Sequence, residues 1–207
     1  MATPVAPSTG GRESRGTGAD RPVIVVYLPD WPQRAAAVIA ALREGLGVMA
    51  GRIEHIGSTA IPGMDAKDVL DLQVSVADLD AAARAFDKPL AALGFQRSAY
   101  DEHDHVPAGR AGDPRQWAKR FWSRWAHPGG DVNLHVRVAG SANERLALLF
   151  RDWFRAHPEA IPAYASFKRS LAAVTPDLDA YSDVKDPVVD VVIAVAEAWA
   201  ASAGWQP

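Results

Sequence analysis

Most of the chemistry in this chain is concentrated in His55-Ile56-Gly57-Ser58-Thr59-Ala60-Ile61-Pro62-Gly63-Met64 and the following Lys67-Asp68-Val69-Leu70-Asp71-Leu72-Gln73-Val74-Ser75-Val76. Glycine lets the backbone approach an anion closely, and the Ser58 hydroxyl with its neighbouring amides can donate hydrogen bonds to phosphate oxygens. An acidic group on the next strand, Asp71, could hold a divalent cation bridging to the same phosphates. By itself a Gly-Ser turn is weak evidence, since many are only turns.

Three other groups of residues invite a chemical reading. His135 lies in an alternating run, Asp131 to Val138, and a lone strand histidine is commonly a satisfied structural residue. It gains interest because its polar face could be the one that carries Asp71 on a neighbouring strand. The segment 115–125 interleaves Arg115, Lys119, Arg120 and Arg124 with Trp117, Phe121, Trp122 and Trp125, which suits packed tryptophans with solvated arginines, a small phosphorylated ligand, or nucleic acid. Asp101-Glu102-His103-Asp104-His105 crowds carboxylates and imidazoles together, but its Gly, Pro and Ala surroundings have no periodicity. It reads as a solvated loop that, if ordered, would line the mouth of a site rather than build one.

The elements that must position these groups follow from the hydrophobic pattern. Residues 22–27 suit a strand, and Asp30 with Pro32 opens a helix that runs to Leu46 and stops at Gly47. Trp31 is expected to anchor that helix on the core. Arg52 to Ile56 enters the Gly-Ser turn and Val69 to Val76 leaves it. Period-2 geometry places Leu70, Leu72, Val74 and Val76 on one face and Asp71, Gln73 and Ser75 on the other. Asp78 caps a helix over 79–93, closed by Gly94 and kinked or split by Pro89, and a short strand is expected over 95–100. His127-Pro128-Gly129-Gly130 turns the basic-aromatic segment into a β-hairpin with 131–138. Ser141 and Glu144 form a capping box for a helix to about His157, a second helix runs from Pro158 through Leu171, and a third starts near Asp186-Pro187. These three helices form a C-terminal layer.

With 207 residues, the chain can build one substantial domain. Residues 1–20 lack large apolar side chains and read as a disordered tail, leaving 21–207 as a single domain. A net charge of -3 argues against nucleic-acid binding driven by overall charge. The chain has no cysteine, which removes disulfides and thiolate chemistry. No run reaches the roughly 18 apolar residues of a membrane span, and no secretory signal is evident, so a cytoplasmic location is expected.

Taken together, these motifs resemble the GrpB family (UPF0157), grouped by fold with the nucleotidyltransferase superfamily. The resemblance rests on Tyr27-Leu28-Pro29-Asp30-Trp31, the block 55–63, Lys67 with Leu70-Asp71-Leu72, and Leu134-His135-Val136. It continues through Phe150-Arg151-Asp152-Trp153, Tyr164 with Lys168, and Tyr181 with Lys185. It implies an α+β fold: a mixed sheet like the polymerase-β palm, with the C-terminal helical layer. It further implies a nucleotide or other phosphorylated small molecule bound at Gly57, Ser58, Thr59 and Lys67, with Lys119 or Arg120 neutralising phosphate charge. Asp71 and His135 would be the catalytic and metal-holding pair, with Mg²⁺ or Mn²⁺ as cofactor and a nucleotidyl group transferred to an acceptor. His55 is a second acid-base candidate near the turn. The superfamily pattern places a second acidic residue where this chain has Gln73, and a carboxylate where it offers His135. An amide and an imidazole are poor ligands for Mg²⁺, so a catalytically weakened ligand-binding module of the same fold stands as the alternative.

Overall fold

Alternating apolar residues on 69–76 and 131–138 make these two stretches the centre of a five-stranded mixed sheet. The computed structural model describes residues 21–98, 102–110 and 112–207. In chain order the elements are α1 (Trp31–Leu46), β1 (Ile53–Ile56), β2 (Val69–Val76), α2 (Leu79–Ala92) and β3 (Gln96–Arg97), then β4 (Lys119–Arg124), β5 (Asp131–Val138), α3 (Ala142–Ala156), α4 (Ile161–Val174) and α5 (Leu178–Ala203). The sheet order is β1-β2-β5-β4-β3, with β2 and β5 parallel and the other pairs antiparallel. The expected α+β class, a mixed sheet with a C-terminal helical layer, is therefore met.

Two apolar clusters divide the molecule. Leu70, Leu72 and Val74 of β2 and Val132, Leu134 and Val136 of β5 are fully buried against α1 and α2. Burying each such side chain contributes about 2 kcal/mol. The second cluster belongs to the C-terminal helices, where Leu149, Phe154, Tyr164 and Ala196 pack with Ile61 and Met64 beyond the Gly-Ser turn. Between the clusters lies the polar face of the sheet. The helical layer roofs this face without filling it, and that is the origin of the cleft described below.

Several local expectations are met and several are corrected. Trp31 anchors α1 as expected: it is fully buried, and its indole N–H donates to Asp68 Oδ1 at 2.8 Å. Asp30 does not cap that helix through its side chain, because its own backbone is already helical and its carbonyl accepts from Arg34 at 2.9 Å. The strand expected over 22–27 reduces to a single bridge between Val25 and Ala66, with Val23 and Val26 exposed. Asp78 caps α2 by accepting from the Asp80 and Ala81 amides at 2.8 Å, and Pro89 sits inside that helix without splitting it. The hairpin of β4 and β5 forms as expected, but β4 begins only at Lys119, after a 3-10 turn over Pro114–Gln116.

The capping box at Ser141 does not form. Ser141 Oγ donates to Val138 O at 2.6 Å, and Glu144 reaches past it to the sheet, where its carboxylate accepts from Ser75 Oγ at 2.5 Å and Arg52 at 2.7 Å. The last helix starts at Leu178 instead of near Pro187, because Asp177 Oδ1 accepts from Ala180 N at 2.8 Å and supplies an earlier cap. Residues 1–20 and 99–101 lie outside the described residues, so the expected tail, the end of the expected 95–100 strand and Asp101 lie there too. Among the described residues no helix is long and apolar enough to cross a membrane.

Candidate functional site

A cleft of about 480 Å³ opens between the polar face of the sheet and helices α4 and α5. Its floor follows from strand pairing: Asp71 lies beside Asn133, Gln73 beside His135 and Ser75 beside Arg137, all with side chains toward the helical layer. The expectation that His135 and Asp71 share one face is therefore met, and His135 Nε2 comes within 3.7 Å of Asp71 Oδ1.

The Gly-Ser turn forms one end of the cleft. Gly57 has φ +68°, and a Cβ placed on it would stand 2.5 Å from Asp71 Oδ2. Only glycine allows the turn to fold this closely over the strand carboxylate. Ser58 Oγ accepts a hydrogen bond from Lys168 Nζ of α4 at 2.9 Å. Thr59 is almost fully buried, and its hydroxyl meets His55 Nε2 at 2.9 Å. His55 does not line the cleft. It faces a second groove with Arg43, Arg151 and Arg155, and burial drives its pKa down to about 4 with help from the two last-named arginines.

Three lysines face the cleft near this turn: Lys67 from the loop before β2, Lys168 from α4 and Lys185 from α5. Burial lowers the pKa of Lys168 to about 7, with the charges of Lys185 and Lys67 adding to the effect. Burial, then Lys185, also lowers Lys67. Each helix lysine lies over the tyrosine four residues before it, Lys168 over Tyr164 at 5.2 Å and Lys185 over Tyr181 at 5.9 Å. These contacts keep each ammonium group near its tyrosine ring on the helix face that lines the cleft.

At the other end lies a buried ionic network. The Arg137 guanidinium donates to Gln73 Oε1 at 2.5 Å and to Asp104 Oδ2 at 2.7 Å, and comes within 3.3 Å of His135 Nδ1. Asp104 also accepts from Lys119 Nζ at 2.9 Å and Asn143 Nδ2 at 3.0 Å. Burial opposes the Asp104 charge, but Arg137 and Lys119 outweigh it and hold this carboxyl far below the usual range. Burial likewise opposes the Asp71 charge, and His135, Asn133 and Lys67 together hold its pKa down at about 2. His135 itself is pushed down by burial and by Arg137, so its imidazole is neutral beside an ionised Asp71.

Of the residues singled out in the sequence, Gly57, Ser58, Thr59, Lys67, Asp71, Lys119 and His135 all border the cleft, and Arg120 does not. Arg120 follows Lys119 in a strand and so points to the opposite face, where it pairs with Asp80 at 2.7 Å. The 101–105 loop contributes Asp104 and His105 to the cleft wall, the lining role expected of it if ordered. Sequence reasoning assigned no role to Lys168, Lys185 or Arg137. For the two lysines a signal existed, the repeated Tyr-x-x-x-Lys spacing that puts both side chains on one helical face.

The donor set can be compared with that of a divalent-metal centre. β2 and β5 offer the cleft one carboxylate, Asp71, since Gln73 already accepts from Arg137 and donates to Glu144 O at 3.2 Å. Among the described residues no group of three or more His, Asp or Glu side chains is arranged to hold a metal ion. A single strand carboxylate, with Asp104 already held by Arg137 and Lys119, does not fit a pair of divalent ions, which need several hard anionic oxygens.

A mixed sheet whose first hairpin carries a Gly-Ser turn beside a strand aspartate, roofed by helices over an open cleft, defines the class of this α+β protein. The chain belongs to the GrpB family: residues 21–194 match the family described as GrpB protein. It is 34% identical over 191 residues to a UPF0157 protein of Pseudomonas aeruginosa, covering 91% of this chain and 73% of that one. It is 38% identical over 197 residues to a protein of Mycolicibacterium paratuberculosis named dephospho-CoA kinase, covering 86% of this chain and 47% of that one. The chain thus spans about half the length of that relative. The crystal structure of the conserved protein GrpB from Enterococcus faecalis shares the fold, with a TM-score of 0.68 at 23% identity over 86% of this chain and 99% of that one.

Proposed function

We propose that the cleft binds a nucleotide or another phosphorylated small molecule. Its phosphate sits against Ser58, Lys67, Lys168 and Lys185, and its remaining part lies on the apolar wall of Trp117, Leu146, Phe150 and Ile193. The observation that carries this reading is the lining of one cleft by three lysines, one of them donating to the Ser58 hydroxyl, with Lys67 and Lys168 pushed toward the neutral form by burial and by Lys185. Crowded cations in a partly enclosed space are costly until an anion joins them, and a phosphate supplies both the charge and the acceptor oxygens. The fold keeps this arrangement by having α4 and α5 present their lysines toward the turn.

Nucleotidyl transfer is a second reading, supported by the neutral His135 beside the ionised Asp71. In that reaction an acceptor hydroxyl gives its proton to His135 Nε2 as its oxygen bonds the α-phosphorus, and pyrophosphate leaves with the electrons of the broken P–O bond. Asp71 stabilises the imidazolium that forms. Without such transfer the same cleft acts as a binding or regulatory module.

The test is calorimetry and thermal shift with inorganic pyrophosphate and nucleoside mono-, di- and triphosphates. At least one should raise the melting temperature by several degrees at saturating concentration, since ligand at about 100 times Kd stabilises by about 2.7 kcal/mol. Lys168→Met and Lys67→Met should abolish the shift. A panel without any shift, or a shift that survives both substitutions, overturns the proposal. Labelled product from an α-labelled nucleotide, lost in Asp71→Asn, would establish the transfer reading.

A further inference from the structure

We propose that Arg137 is a built-in cation that excludes divalent metal from the β2–β5 face, so that the cleft holds phosphate with protein charges alone. This rests in part on the phosphate-binding reading above. Its own ground is the placement of one guanidinium. Arg137 is only 6% exposed, and its donors reach β2 through Gln73 Oε1, the covering loop through Asp104 Oδ2, and His135 on its own strand.

Most of the groups that might otherwise ligate an ion on this face are already committed. Gln73 spends its carbonyl oxygen on Arg137 and its amide on Glu144 O. Asp104 is shared by Arg137, Lys119 and Asn143. Asp71 Oδ1 accepts from Asn133 at 2.9 Å. A divalent ion drawing on Gln73 or Asp104 would have to displace a buried guanidinium from its acceptor. Breaking a buried ion pair from one side is strongly unfavourable.

The charge balance points the same way. Lys67, Lys168 and Lys185 stand at one end of the cleft, and Arg137 and Lys119 at the other. Asp71, Asp104, Asp186 and Asp190 line the same cleft and offset most of that charge, and Asp190 faces His105 at 3.0 Å. A metal ion normally brings positive charge to a phosphate where the protein is acidic. In this cleft the protein already carries that charge, with fixed donors in place of exchangeable ligands. Magnesium complexed to a polyphosphate would therefore reduce its attraction to the cleft.

The experiment has two arms, both on the full chain. First, Mn²⁺ is titrated into wild-type and Asp71→Asn protein and followed by electron paramagnetic resonance. No saturable binding that depends on Asp71 is expected, whereas Mn²⁺ binding lost in Asp71→Asn overturns the proposal. Second, inorganic pyrophosphate is titrated in EDTA and then in excess Mg²⁺. Binding in EDTA, weakened several-fold by Mg²⁺, is expected, and binding that requires Mg²⁺ overturns the proposal. If pyrophosphate binds under neither condition, the phosphate reading fails, and the Mn²⁺ arm still decides whether the β2–β5 face excludes metal.

Discussion

Lys168 Nζ lies 2.9 Å from Ser58 Oγ, joining helix α4 to the turn between β1 and β2 across 110 positions of chain. The lysine is 2% exposed and, among the described residues, has no carboxylate at hydrogen-bonding distance, so the protein carries its burial cost. Lys168→Met should raise the melting temperature at pH 6 by several degrees while weakening phosphate binding at least about tenfold, the opposition expected when a site is kept at the expense of stability. The pH dependence has a definite sign. The pKa is about 7 in the folded protein against 10.5 unperturbed, so between those values the unfolded chain holds the extra proton. Stability should therefore rise with pH across that window in wild type and rise less in Lys168→Met. Phosphate affinity should fall as pH rises through about 7, as Lys168 loses its charge. Melting curves and calorimetry from pH 6 to 9 measure both.

Much of this site was legible before the structure because strand geometry has a period of two. Asp71, Gln73 and Ser75 had to share a face once Leu70, Leu72 and Val74 were assigned to the core, and His135 joined them by the same rule on β5. That rule also separates Lys119 from Arg120, a distinction the open choice between them did not use. What stayed hidden depends on contacts distant in sequence. Asp104 sits in an aperiodic loop, and its partners Arg137 and Asn143 are 33 and 39 positions away. The start of α5 was hidden for a local reason: Pro187 resembles a first-turn proline, but it lies inside a helix already capped by Asp177.

Gly57 and Gly63 make a controlled pair. Both have positive φ, +68° and +79°, but a Cβ on Gly57 meets Asp71 Oδ2 at 2.5 Å, while one on Gly63 meets nothing within 4 Å. Gly63→Ala should cost only the backbone term, about 1 kcal/mol. Gly57→Ala should cost more, since its φ and ψ of +68° and -169° lie in a region nearly reserved for glycine, at about 1–3 kcal/mol before the clash is added. Repeating Gly57→Ala in an Asp71→Ala background should recover most of the clash, leaving the contact with the Cβ of residue 71 at 3.0 Å and the backbone cost. Denaturant unfolding of the four variants with wild type measures this coupling.

Glu144 ties α3 to the sheet. Its carboxylate accepts from Ser75 Oγ at 2.5 Å, Arg52 at 2.7 Å and the Gly140 amide at 3.1 Å, in a position only 2% exposed. Burial opposes its charge, but the hydrogen bonds from Ser75 and Arg52 outweigh it and lower the pKa from 4.5. The stabilisation is therefore present above the unperturbed value and lost as pH falls through the lower folded value. Glu144→Gln should cost about 1–3 kcal/mol at pH 7 and flatten the acid limb of the stability profile. Equal acid sensitivity in the variant and wild type would show that other carboxylates govern that limb.

Neighbouring residues on β4 should respond in opposite ways. Arg120 points away from the cleft and pairs with Asp80, a carboxylate with 70% side-chain exposure. Exposed pairs of this kind contribute little, so Arg120→Met should change stability by less than about 1 kcal/mol and leave phosphate affinity within about twofold. Lys119 points into the cleft, and its partner Asp104 is 16% exposed in its side chain and shared with Arg137. Lys119→Met removes one of two cations from a largely buried carboxylate, so it should destabilise by about 2 kcal/mol or more, with the Asp104 pKa rising toward its ordinary value. Carboxyl NMR titration of Asp104 reads that rise directly, and chemical denaturation reads the stability difference between the two variants. Equal losses in both would mean that the two side chains do not part to opposite faces of the sheet as described.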